Sequence, residues 1–147
     1  QPISSLARPC KINNRNKNNS KKLAEKIKKQ FPMIDIEYGD LSLNNVLKRE
    51  IHMVVNCTSV GMYPNIEDTP ILLDDFSNNL IVYDIIYKPN TTKFLKLAEE
   101  KGCITINGLS MLINQALYSQ DIWLDGKIKN IFDNYEKIRR ILKVYVE

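Results

Sequence analysis

Short apolar runs alternate with segments of helical period along this chain, and that alternation limits the fold more than any other feature. The strongest run is Leu80 to Tyr87, LIVYDIIY, the length of a strand. His52 to Asn56 reads HMVVN, the pattern of a strand covered on both faces. Met33 to Tyr38 alternates as MIDIEY and is turned by Gly39-Asp40, while Lys11 to Asn13 and Cys103 to Ile106 are two shorter strands. Between them, Ser20 to Gln30 carries Leu23, Ala24 and Ile27 at helical spacing and is stopped by Pro32. Leu43, Val46 and Leu47 mark a brief helix. Asn90-Thr91-Thr92 offers a cap for the helix FLKLAEEKG, with Gly102 as its left-handed stop. Leu109 to Leu124 keeps a helical face through Leu112, Ala116, Leu117 and Trp123. A last amphipathic helix, Lys127 to Val144, has Ile131, Tyr135, Ile138 and Leu142 along one stripe.

Strands separated by helices imply right-handed βαβ crossovers, so the expected fold is α/β: a Rossmann-like parallel sheet with helices on both faces. The 147 residues suffice for one domain with one core. No apolar stretch approaches the ~20 residues needed to span a bilayer. Cys10, Cys57 and Cys103 lie far apart, outside any CxxC pair, and His52 is the only histidine, so no metal site is expected. Each cysteine adjoins an apolar run and is expected to be buried, in a reducing cytoplasm. The net charge of +4 gathers largely between Lys17 and Lys29, where it reads as one solvated helix face. With no aromatic residues among those lysines to stack on bases, nucleic acid is not expected as a partner.

In a doubly wound sheet, ligands bind beyond the carboxyl ends of the strands. That rule selects four segments: Asn14 to Asn19, Asn56 to Met62, Asp84 to Tyr87, and Gly108 to Gln115. At the first, Asn14 and Arg15 stand where an acid would hold the ribose of NAD, and Lys17 follows. A guanidinium there can grip a 2′-phosphate with two hydrogen bonds, which favours NADP; an arginine in a polar turn fits equally well. Thr58, Ser59 and Gly61 would let a cofactor approach the backbone, although strand-to-loop turns often use such residues. Tyr87 could bond a polyhydroxylated substrate or simply pack at the sheet edge. Met111 and Gln115, one turn apart, share a helix face. Gln115 could offer its amide to a hydroxyl or carboxylate, or only cap a packed helix.

Together and in this order, NCTSVGMYP…DTP, VYDIIYKPNTTKFLKLAEEKG and INGLSMLINQALYSQDIWLDG closely resemble the carboxyl-terminal domain of shikimate dehydrogenase. The similarity runs from about Ile12 to the last helix. It implies an NADP-dependent oxidoreductase interconverting 3-dehydroshikimate and shikimate on the route to aromatic amino acids. Quinate or a similar polyol as substrate, or a non-catalytic nucleotide-binding remnant, are the alternatives. By the same resemblance, Asn14, Arg15 and Asn16 match the signature for the adenosine 2′-phosphate, and Thr58 and Ser59 the loop beside the ribose. Ile85 and Gly108 match residues whose backbone meets the nicotinamide, and Met111 an apolar wall against it. Tyr87 and Gln115 match the two residues this domain offers shikimate. The implied partners are this small substrate and NADP, without membrane, and with room for a homodimer in the full-length protein.

Four positions depart from the family pattern. Asn16 stands for threonine, Asn19 for a second basic residue, Asn107 for the aspartate before the glycine, and Ser110 for a frequent glycine. No glycine precedes Gly39, so the chain as read lacks the first strand and glycine-rich turn. The resemblance places the catalytic lysine and aspartate in an amino-terminal domain, and no residue here is expected to be catalytic. Residues 1–147 are accordingly read as a truncated NADP-binding domain, catalytically silent and weak in binding cofactor by itself. Without the missing strand, those at Ile12 and Met53 would lose a shared neighbour or rearrange to meet each other. The last helix is expected to pack across a domain junction.

Overall fold

The computed structural model describes residues 9–41, 51–72, 79–127 and 130–146. The brief helix expected at Leu43 to Leu47 lies outside them. Contacts divide the chain into two compact units, residues 1–50 and 51–147.

In the first unit, β1 (Cys10–Asn13) and β2 (Ile36–Gly39) pair in parallel through the crossover helix α1 (Lys17–Gln30). α1 begins a turn before the apolar spacing suggests, because the Asn16 side chain accepts from the Asn18 amide and caps it. Buried Ser20 then ties α1 to the sheet, its hydroxyl lying 2.7 Å from the Gly39 carbonyl and 2.9 Å from that of Lys17. Ala24 is buried, whereas Leu23 is left exposed.

The second unit has three parallel strands in the order β3-β4-β5, namely Met53–Asn56, Ile81–Asp84 and Ile104–Ile106. Helix α2 (Lys93–Glu100) crosses from β4 to β5, and Gly102, at φ +75°, stops it in the left-handed region as expected. Its Phe94, Leu95 and Ala98 meet Leu80, Val82 and Cys103 in the larger core, with Val54 half-buried beside them. Because strand side chains alternate, the opposite face presents Met53, Val55, Ile104 and Ile106, each 39–59% exposed. Strand β3 is therefore covered on one face, not on both. Cys10 and Cys57 are exposed, and only Cys103 is buried.

Helices α3 (Leu109–Trp123) and α4 (Tyr135–Val146) form a second core. α3 buries Leu109, Ile113 and Leu117, while Ala116 is exposed and Trp123 is 80% exposed, so its inner stripe is rotated from the expected one. α4 lays Tyr135, Ile138 and Leu142 on α3, which partly covers the stripe expected at a domain junction. It starts later than Lys127 because Asn130 adopts φ 60°, outside helical space, and a 3-10 turn at Ile131–Asn134 intervenes. Strand β1 belongs to the two-stranded sheet of the first unit and β3 to the three-stranded sheet of the second.

Candidate functional site

The carboxyl ends of the parallel strands carry the expected site residues in each unit. In the first, the turn after β1 is built by asparagines. The Asn14 side-chain oxygen accepts from the Asn16 backbone amide at 2.9 Å, and the Asn14 backbone amide donates to the Gly39 carbonyl at 3.2 Å. Asn16 caps α1, a task for which asparagine is at least as good as threonine, which accounts physically for asparagine at that position. Arg15 and Lys17 are exposed on either side of the cap. Two cations beside a helix start suit a phosphate, which gains both their charge and the positive helix end.

In the second unit, a buried polar knot ties the strand ends together. Asp84, fully buried, ends β4; one carboxylate oxygen accepts from Asn56 Nδ2 and the Ile86 amide, each at 3.1 Å. The other accepts from Thr92 Oγ1 at 2.7 Å, and the same Thr92 oxygen caps α2 by accepting from Leu95 N. Asn56 Oδ1 accepts from the Thr58 amide at 3.0 Å and its hydroxyl at 2.7 Å, while Asn56 Nδ2 also donates to the Val60 carbonyl. The loop bearing Thr58 and Ser59 is thus fastened to the strand that leads to Ile85 and Tyr87. Asn56 and Asp84 head two of the segments selected from the sequence, but neither was assigned a role; the available signal for Asp84 was an acid inside an otherwise apolar run.

Gly108 shows why glycine is needed there. A Cβ on it would lie 1.9 Å from the Ile85 carbonyl oxygen, inside any tolerable contact. Its amide donates to the Ile86 carbonyl at 3.0 Å. The start of α3 is therefore pressed directly against the backbone leaving β4, a ledge with no side chain between the two, in which Gly108 is itself buried. Along the adjoining helix face, Met111 is 48% exposed and Gln115 is exposed one turn further, while Tyr87 is 43% exposed beyond β4. Thr58, Ser59, Ile85, Tyr87, Gly108, Met111 and Gln115 all belong to this second unit, and Asn14 to Lys17 to the first.

A backbone ledge flanked by a solvent-facing apolar side chain, a phenol and an amide can hold a flat aromatic ring against a hydroxylated molecule. The residues present fit a nicotinamide nucleotide on that ground. Among the described residues, no cluster of histidine, cysteine, aspartate or glutamate could hold a metal, and no helix is long and apolar enough to cross a membrane.

Known proteins similar to this chain include several shikimate dehydrogenases. An NADP(+)-dependent shikimate dehydrogenase of Caldanaerobacter subterraneus subsp. tengcongensis is 42% identical over 129 residues, 87% of this chain and 45% of that protein. One from Methanococcus aeolicus is 45% identical over 93 residues, 63% of this chain and 33% of its own. A crystal structure of shikimate dehydrogenase in complex with NADP+ superposes on 99% of this chain with a TM-score of 0.79 at 28% identity, using 50% of its own length. Shikimate 5-dehydrogenase from Listeria monocytogenes, solved with shikimate and NAD, matches 88% of this chain and 47% of its own at 33% identity, with a TM-score of 0.74. The chain spans less than half the length of these curated relatives. No protein-family model matches it.

Proposed function

On the premise that this chain belongs with the shikimate dehydrogenases over their carboxyl-terminal, cofactor-binding part, we propose that residues 1–147 form an NADP-binding Rossmann-like domain. Its task is to place NADP for the interconversion of 3-dehydroshikimate and shikimate, in the cytoplasm. The unbridged cysteines suit a reducing compartment.

The observation that carries this reading is the close approach of Gly108 to the Ile85 carbonyl, which brings the start of α3 against the carboxyl end of β4, with exposed Tyr87 just beyond β4 and exposed Met111 and Gln115 on α3. Arg15, helped by Lys17, holds the adenosine 2′-phosphate in a bidentate grip that an acid at that position would repel. Asn14 and Asn16 shape the turn that presents it. Thr58 and Ser59 border the ribose. Ile85 and Gly108 face the nicotinamide with backbone groups, and Met111 excludes water from its side. Bound there, the nicotinamide would supply hydride chemistry. Tyr87 and Gln115 hydrogen-bond the hydroxyl and carboxylate groups of shikimate and so fix its distance and angle, a large share of catalysis in such reactions. No residue of this chain is given the proton.

The test is a titration of the 147-residue chain followed by its backbone amide resonances. NADPH is expected to shift Arg15, Thr58, Ile85 and Gly108, and shikimate to shift Tyr87 and Gln115. Silence at millimolar concentrations of both, or shifts confined to other residues, would overturn the reading. An assay for shikimate-dependent NADP reduction by the same chain is expected to show no turnover.

A further inference from the structure

Position 107 is where this chain carries asparagine and the resembling pattern carries aspartate, and its side chain does something an aspartate could not. Asn107 Nδ2 donates to the backbone carbonyl of Asn90 at 2.9 Å and lies 2.8 Å from Asn90 Oδ1. Its Oδ1 accepts from the Leu109 amide at 3.2 Å, at the first turn of α3. The segment it grips follows Tyr87 directly. On the far side of that segment, the Asn90 amide donates to the Val146 carbonyl at 2.9 Å, and Lys88 Nζ to the Tyr145 carbonyl at 3.0 Å. Val146 is buried against Leu109, Ile113 and Leu117 of α3. The segment after Tyr87 is therefore held twice, by the side chain preceding Gly108 and by the last carbonyls of α4.

We infer that Asn107 is a positioning residue: it sets the distance between Tyr87 and the Gly108 ledge by clamping Asn90, with the end of α4 as the second jaw. The inference rests on the proposed function for what Tyr87 and Gly108 hold, but the clamp itself is independent of any ligand. A carboxylate at 107 would still cap α3, and would do so with a favourable charge at a helix start. It has no proton for the Asn90 carbonyl and would stand against that oxygen. Capping and clamping therefore separate in one substitution.

The experiment uses the whole chain. Asn107→Asp keeps the cap and removes both donors, and Asn107→Ser keeps a capping oxygen too short to reach Asn90. In hydrogen exchange without ligand, the Asn90 amide of both variants is expected to exchange about tenfold faster or more, with the Leu109 amide little changed. In shikimate titrations, affinity is expected to fall by roughly three- to tenfold, an effect simple capping would not produce. Unchanged exchange at Asn90 in both variants would overturn the clamp. Faster exchange with unaltered shikimate affinity would overturn the positioning role. If the unsubstituted chain itself ignores shikimate while Asn90 exchange responds, the clamp stands and the proposed function falls.

Discussion

The Asp84 carboxylate accepts a 2.7 Å hydrogen bond from the Thr92 hydroxyl, and both side chains are wholly buried. That single contact joins the end of β4 to the cap of α2, and through Asn56 it reaches the loop bearing Thr58. A buried carboxylate is tolerable only when its oxygens are satisfied by donors, so the sheet end is rigid because its polar groups are all engaged.

Thr92→Val keeps the shape of the side chain and deletes the donor and the cap together. The expected loss is about 2–4 kcal/mol, from one charged hydrogen bond and one helix cap. Asp84→Asn should cost less, because the amide can donate to the Thr92 oxygen while its carbonyl still accepts from Asn56 and Ile86. Urea unfolding of the three chains checks the ranking; equal midpoints for Thr92→Val and the unsubstituted chain would remove the argument.

Gly108→Ala inserts a carbon where the Ile85 carbonyl oxygen already stands. Backbone rather than a flexible side chain occupies that space, so the start of α3 must back away from β4. A cost of about 1–3 kcal/mol is expected, as for other overpacked sites. The thermal midpoint should fall and the Gly108-to-Ile86 hydrogen bond should lengthen, seen as faster exchange at residue 108. NADPH affinity should fall with it. A variant as stable as the parent would mean that the ledge is looser than the geometry describes.

What could be read in the sequence followed from how locally each feature is determined. The apolar runs of parallel strands announced β1 to β5, and Thr92 and Gly102 marked both ends of α2, because caps and stops act within a few residues. The last helix was misplaced at its start because the apolar stripe runs on through the stretch where Asn130 turns left-handed. The exposed Met53 and Val55 were unreadable as such: a β-rich run looks alike whether one face or two are covered. Gly108 stood out by its motif, but Asn107 stood out only as a departure. Its partner Asn90 lies seventeen residues earlier, and nothing local reveals that pairing. Asp84 headed a selected segment, but its role was hidden for a related reason, since only the strand register decides which face its carboxylate meets.

Arg15→Gln tests the phosphate grip. The side chain is exposed at the turn into α1, so its loss should leave the fold intact. If it holds a 2′-phosphate, NADPH affinity should fall about 10–100-fold, the worth of a charged, two-point hydrogen bond. NADH, lacking that phosphate, should bind the parent and the variant alike. Fluorescence titration of the four pairs measures both effects, and an equal loss for the two nucleotides would assign Arg15 to something other than the 2′-phosphate.

Tyr83 supplies the pH-dependent case. It sits in the middle strand, paired in register with Val55 and Ile106, and is half-buried. Burial raises its phenol above the ordinary value of 10.0, and the electrostatic influence of neighbouring Cys57 raises it further. The folded chain then keeps a proton that the unfolded chain releases. Stability from this group is fully present below the unfolded value of about 10 and is lost as pH rises through the raised folded value. Denaturation midpoints measured from neutral pH into alkali should therefore fall more steeply in the parent chain than in Tyr83→Phe. Cys57→Ser should flatten the curve only partly, because the larger cause is burial. A slope that survives Tyr83→Phe unchanged would assign the alkaline loss to another group.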